Sequence, residues 1–173
     1  MKNNKTNIVI FLDIDGVFTS LRSGWYNWDI YAVNFFIWLC RDKLNAKIVI
    51  SSSWRNQYNK EFFENIFPGI LHDDWKTLYF RFSGSRGSEI DKWLDSHKDI
   101  SDYLIIDDMN DMLEEQQSHF IHTDTDNGML IKNYEDILNY FKIKDFPEYA
   151  KGNPAEIYIH KNMFDEAIKI KLV

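Results

Sequence analysis

Phe11-Leu12-Asp13-Ile14-Asp15-Gly16-Val17, entered through Ile8-Val9-Ile10, decides how the chain is read. Five of the six residues before Ile14 are apolar and three are β-branched, the pattern of a strand buried on both faces. That strand closes on two carboxylates one residue apart and a glycine. Side chains alternate along an extended chain, so Asp13 and Asp15 share a direction only while the chain stays extended. Gly16 supplies a sharp exit. Carboxylates at the carboxyl end of a central α/β strand stand where such sheets bind ligands. Side by side, they push each other's pKa up, and a hard cation such as Mg²⁺, which takes oxygen ligands, relieves that cost. Asp and Gly also make ordinary turns, so on its own the stretch leaves a plain strand-end turn open.

Outward from this stretch, strands and helices alternate. Ala46 to Ile50 and Tyr103 to Ile106 read as two more buried strands, and Phe120 to Thr123 as a shorter one. Helical spacing runs from Ile30 to about residue 43, capped by Asp29, then over Tyr58 to Phe67 and Ile131 to Phe141. Ser88 is placed to cap a helix with Asp91 three residues on, and Met112 to Ser118 reads as a short helix. Leu78 to Phe82 is a candidate strand in an otherwise indistinct stretch. Such alternation predicts an α/β fold with a mainly parallel, doubly wound central sheet. A core over residues 1–142 and a C-terminal extension over 143–173, whose role the sequence leaves open, account for the chain.

The 173 residues suit one domain with a proper core. The net charge of −7 argues against a general basic surface, so a polyanionic substrate must be held by a few local cations and a metal. The single cysteine, Cys40, has no disulfide partner and falls in an apolar helix, where a small buried hydrophobe is expected. No apolar run is long enough to span a bilayer, and the polar lead Met1 to Asn7 lacks a signal segment, so a soluble, cytoplasmic protein is expected.

The strand ending in Asp13-Ile14-Asp15-Gly16-Val17 resembles the first motif of the haloacid dehalogenase (HAD) superfamily. The resemblance implies a three-layer Rossmann-like fold, with Asp13 as nucleophile and Asp15 as general acid/base. The superfamily's second motif is a Ser or Thr after an apolar strand. Ser51 matches it first, with Ser52 and Ser53 open because one residue of register decides. Its third, a Lys or Arg, is matched by Arg86, with Lys92 in reserve. Its fourth, an acidic pair at a strand end, is matched by Asp107-Asp108, with Asp111 nearby. The implied metal ligands are Asp13, Asp15 through its backbone carbonyl, and Asp107 or Asp108, around Mg²⁺. Ser52-Ser53-Trp54-Arg55, Arg86-Gly87-x-Glu89-Ile90, Asp107-Asp108-x-x-Asp111-Met112 and Thr123-Asp124-x-x-x-Gly128 look like the small HAD domains associated with Swiss Army Knife RNA-repair proteins.

Superfamily members enclose small substrates with a cap domain inserted after the first motif or between the second and third. Neither gap in this chain holds a full extra domain, which implies an open site. Trp25, Tyr26 and Trp28 follow the first motif and Trp54-Arg55 the second. Together with Ser52, Arg22 and Arg55, they are candidates to stack a base and hold a second phosphate of an RNA or DNA end. Each aromatic taken singly fits loop packing at least as well. The expected activity is a Mg²⁺-dependent phosphomonoesterase working through an aspartyl-phosphate. A 5′-nucleotidase on free mononucleotides and a non-catalytic HAD-fold binding module are the rivals.

Overall fold

The computed structural model describes residues 7–25, 27–80 and 84–143. In chain order they form β1 (Ile8–Leu12), α1 (Ile30–Trp38), β2 (Lys47–Ile50), α2 (Lys60–Ile66), β3 (Leu71–Lys76), α3 (Arg86–Asp95), β4 (Asp102–Asp107), β5 (Phe120–His122) and α4 (Ile131–Tyr140). The strands make one all-parallel sheet in the order β3-β2-β1-β4-β5. No cap domain interrupts this order among the described residues, and the α/β three-layer expectation holds.

β1 is buried along its whole length because it feeds two separate cores. Ile8, Ile10 and Leu12 point to one face and pack with Phe36 and Ile37 of α1, Phe63 of α2, and Ile137 and Leu138 of α4. Val9 and Phe11 point to the other face, where Ile90 and Trp93 of α3 cover them. This is strand alternation working in a strand with helices on both sides. The Phe11 ring meets Trp93 edge-on at a centroid distance of 5.3 Å. Full burial of such a side chain contributes about 1.5–3 kcal/mol.

The sheet winds outward in two directions from β1. β2 and β3 lie on one side, β4 and β5 on the other, so the order reverses between β1 and β4. Parallel sheets open a crevice at the carboxyl ends of the strands at such a reversal. Register then fixes what lines it. Leu12 sits opposite both Ile50 and Ile106, which brings the next residues, Asp13, Ser51 and Asp107, to one level.

Several elements differ from expectation. β3 was not anticipated. Leu71-His72-Asp73-Asp74-Trp75-Lys76 is an edge strand, half exposed, and carries no apolar run. Leu78, Tyr79 and Phe80 lie outside any strand, and residues 81 and 82 lie outside the described residues. The α3 cap is Ser85, whose hydroxyl accepts from the Ser88 N–H while Ser88 answers with its own side chain, so the helix starts three residues early. Arg86 is therefore the first residue of α3 rather than a residue ahead of it. The expected helix over Met112 to Ser118 is a 3₁₀ stretch, Glu114–His119. α1 continues into a wider π-type turn, Leu39–Leu44, which ends at Asn45 in the left-handed region. Asp29 caps α1 as expected, accepting from the Ala32 N–H, and Cys40 is buried. The expected strand and helix after residue 143 lie outside the described residues.

At the opposite end of the sheet, Ile8, Lys43, Asp102, Tyr140 and Ile143 line a groove of about 450 Å³. The Tyr140 hydroxyl oxygen lies 2.8 Å from Asp102 Oδ1 and 3.0 Å from the Tyr103 carbonyl, pinning the end of α4 to the start of β4. No helix among the described residues is long and apolar enough to cross a membrane.

Candidate active site at the sheet reversal

Asp13 leaves β1 with its N–H on the Ile106 carbonyl, still paired to β4 as the strand ends. Its carboxylate is almost wholly buried. One oxygen from each of Asp13, Asp107 and Asp108 lies within 4.8 Å of the others. Burial pushes the Asp13 pKa up, and Asp108 adds to the rise, against Arg86 and the Ser52 hydroxyl, which favour the carboxylate. Asp107 is pushed up to about 8, by burial first and by the Asp13 charge second. Among the described residues this is the one set of three or more potential ligands close enough to share a metal ion.

A hard divalent cation fits this set. Its donors are all carboxylate oxygens, the kind such ions take. Asp107 Oδ2 is also buried with no hydrogen-bond partner, an arrangement that is costly unless something else meets it. Arg86 Nε lies 3.3 Å from that oxygen, near enough for ion pairing though not aligned as a hydrogen bond.

Arg86 reaches into the site from the first turn of α3. Its Nη2 is 3.6 Å from Asp13 Oδ1, its backbone N–H donates to Asp111 Oδ2 at 3.0 Å, and its Nη1 is buried without a partner. Burial disfavours the guanidinium charge, but Asp13, Asp107, Glu89 and Asp111 outweigh that and raise its pKa. Lys92, further along α3, is exposed.

The serines after β2 divide their work. Ser51 and Ser52 N–H groups both donate to the Leu12 carbonyl, at 3.0 and 3.3 Å. The Ser52 hydroxyl favours the Asp13 carboxylate, and it also caps the following 3₁₀ turn, Ser53–Asn56. Ser51 Oγ is buried and unpartnered, while Ser53 is exposed. Ser51 and Ser52 thus both stand beside the nucleophile candidate, Ser51 by register and Ser52 through its hydroxyl.

Asp15 stands apart from the acidic cluster. Its side chain is exposed, with Oδ1 accepting from Thr19 Oγ1 and Oδ2 from Trp54 Nε1, both at 2.8 Å. Asp108 accepts from Thr125 Oγ1 at 2.7 Å, and its carbonyl accepts from His122 Nε2 at 2.8 Å. Gly16, at φ +65°, makes room for it. A Cβ there would stand 2.2 Å from Asp108 Oδ2.

Two expected rim arginines are elsewhere. Arg55 is 2% exposed, its guanidinium 2.5 Å from Glu89 Oε2. It also donates to the carbonyls of Ser51, Ser52 (2.6 Å), Thr77 (3.1 Å) and Leu78 (3.0 Å). A side chain so enclosed cannot meet a substrate phosphate without unfolding the turn. Arg22 pairs with Asp29 at 2.7 Å and donates to the Asn127 and Met129 carbonyls, fastening the loop after β1 to the loop after β5. Trp54 is half-buried rather than an open stacking surface. Its ring meets Trp28 edge-on at 5.4 Å and leans on Tyr58 at 5.3 Å. Trp25 and Tyr58 are exposed, and Tyr26 lies outside the described residues.

Thr19 and Thr125 carry contacts in or around the site that the sequence did not single out, and Glu89, quoted there only as part of a motif, proves to be the partner of Arg55. Thr125 had a signal, since it sits in the turn Asp124 to Gly128 just after a strand end.

Residues 9–133 match the family described as the HAD domain in Swiss Army Knife RNA repair proteins. No curated protein and no solved structure matches the chain. The matched span takes in the sheet from the second residue of β1 through β5 and every carboxylate of the cluster at the sheet reversal, and the chain belongs to this family of HAD domains.

Proposed function

We propose that the domain is a Mg²⁺-dependent phosphomonoesterase acting through an aspartyl-phosphate, with a terminal phosphate on a nucleic-acid strand as its substrate. The observation that carries the reading is Asp13. This buried carboxylate sits among the Ser52 hydroxyl, the Arg86 guanidinium and the carboxylates of Asp107 and Asp108.

Asp13 attacks phosphorus in line. The ester P–O bond breaks, and the departing oxygen takes its proton from Asp15. Asp15, now a carboxylate, draws a proton from water, whose oxygen attacks the same phosphorus and frees Asp13 and inorganic phosphate. Ser52 and the unpartnered Nη1 of Arg86 hold the phosphoryl oxygens as charge develops on them. Asp13, Asp107, Asp108 and the Asp15 backbone carbonyl would hold Mg²⁺, which neutralises the carboxylates and withdraws charge from the phosphoryl group.

The substrate class rests on two supports. The family description names RNA repair, and no cap domain among the described residues closes the strand ends. The test is phosphate release from 5′- and 3′-phosphorylated RNA and DNA oligonucleotides, from mononucleotides and from p-nitrophenyl phosphate, with and without Mg²⁺. Turnover of one class of oligonucleotide end, lost on chelation, is expected. Better turnover of mononucleotides favours a nucleotidase, and no turnover of any ester favours a binding module.

A further inference from the structure

We propose that Trp54 is a positioning residue for Asp15. Its indole N–H holds the Asp15 carboxylate where a leaving oxygen can be protonated, and the Thr19 hydroxyl fixes the other oxygen. The inference rests on the reading of Asp15 as the proton donor.

An exposed aspartate ordinarily has its choice of rotamers. Asp15 does not, because each of its oxygens takes a hydrogen bond of 2.8 Å from a different part of the chain. Thr19 lies in the same turn. Trp54 comes from the turn after β2, 39 residues away in sequence. An indole N–H only donates, so Trp54 has one use for its polar edge here. A carboxyl group offers about four lone-pair positions. Thr19 and Trp54 use two, leaving the remainder free for a substrate oxygen or water.

The clamp is itself held. The Trp54 ring is wedged between Trp28 and Tyr58, and its backbone sits in a turn capped by Ser52. The next residue, Arg55, is locked to Glu89 and four carbonyls. Asp15 is two residues from Asp13, yet its carboxylate is bound to Thr19 and Trp54 and is not part of the set formed by Asp13, Asp107 and Asp108.

Three roles for Trp54 make different predictions. A ring that stacks a substrate base affects binding of oligonucleotides. A ring that only packs the turn affects every substrate alike. A positioning residue affects the step in which Asp15 gives up its proton, and only for leaving groups that need one.

The experiment measures single-turnover release of the leaving group, which reads the first step alone, from an alkyl phosphate and from 2,4-dinitrophenyl phosphate. Trp54→Phe keeps the ring and deletes the N–H. It should slow the alkyl ester by roughly ten-fold or more, a fraction of the 10²–10⁴ available from general acid catalysis. The half-saturating concentration and the dinitrophenyl rate should stay within about two-fold. Thr19→Val should act in the same direction. In an Asp15→Asn background the Trp54→Phe effect should vanish, since residues acting through one another are not additive. Equal slowing of both esters, a change in half-saturation alone, or no change overturns the proposal. If Asp15→Asn itself spares the alkyl ester, the proton-donor reading fails and takes the proposal with it. A selective Asp15→Asn loss with an indifferent Trp54→Phe removes the proposal alone.

Discussion

Arg55 and Glu89 meet at 2.5 Å with side chains only 1% and 6% exposed, the turn after β2 on one side and α3 on the other. Glu89 also accepts from the Phe80 N–H through its second oxygen, at 2.9 Å. This pair joins the element that carries Trp54 to the helix that carries Arg86. The elements proposed to position the proton donor and to bind phosphate therefore share one strut.

Removing one half of that strut strands the other. Glu89→Ala leaves a guanidinium buried without its counter-charge, and breaking a buried pair this way costs about 3–5 kcal/mol. Urea denaturation should show a loss of that size. A loss under about 1 kcal/mol would show that the guanidinium finds water or another partner.

Asp13→Asn should abolish turnover and trapping of the aspartyl-phosphate, since the amide has no nucleophilic oxygen to offer. The substitution is nearly isosteric, so circular dichroism should be unchanged. Sustained turnover, with deamidation excluded by mass spectrometry, would remove Asp13 from the chemistry.

Without metal, Asp107 should make stability fall as pH rises. Its folded-state pKa is raised to about 8 from 3.8, so its contribution is fully present below about pH 4 and lost as pH rises through 8. Asp13 shifts in the same direction. Mg²⁺, binding the folded state, should raise Tm more at pH 8 than at pH 5. Asp107→Ala combined with Asp108→Ala should erase both the Mg²⁺ response and this part of the pH slope. A Mg²⁺ shift that survives the double change would place the metal elsewhere.

Gly16→Ala tests the cluster without touching a carboxylate. At φ +65° the new methyl is strained, and its Cβ would stand 2.2 Å from Asp108 Oδ2. A loss of about 1 kcal/mol is expected from the backbone alone. The displaced Asp108 should also weaken the Mg²⁺-induced rise in Tm several-fold. An unaltered rise would show that Asp108 is dispensable to the ion.

The strands that build the crevice were legible because burial on both faces forces a continuous apolar run. Ile8 to Leu12 and Leu104 to Ile106 could be read as little else. β3 escaped because an edge strand with an exposed side has no such obligation. The acidic positions were legible too, as their place at strand ends follows from the strands themselves. Arg55 misled for the opposite reason. Arginine is rarely buried, and nothing in Ser52-Ser53-Trp54-Arg55 announces a carboxylate waiting 34 residues on. Ser88 was read as the cap because Asp91 follows it, but the reciprocal bonds between Ser85 and Ser88 put the cap at Ser85.

The groove shared by Ile8 and Ile143 puts the first and last described elements side by side. The two residues lie at the foot of β1 and the end of α4, the full length of the sheet away from Asp13. A tug on either of these two elements is therefore delivered at the base of the sheet, remote from the carboxylates.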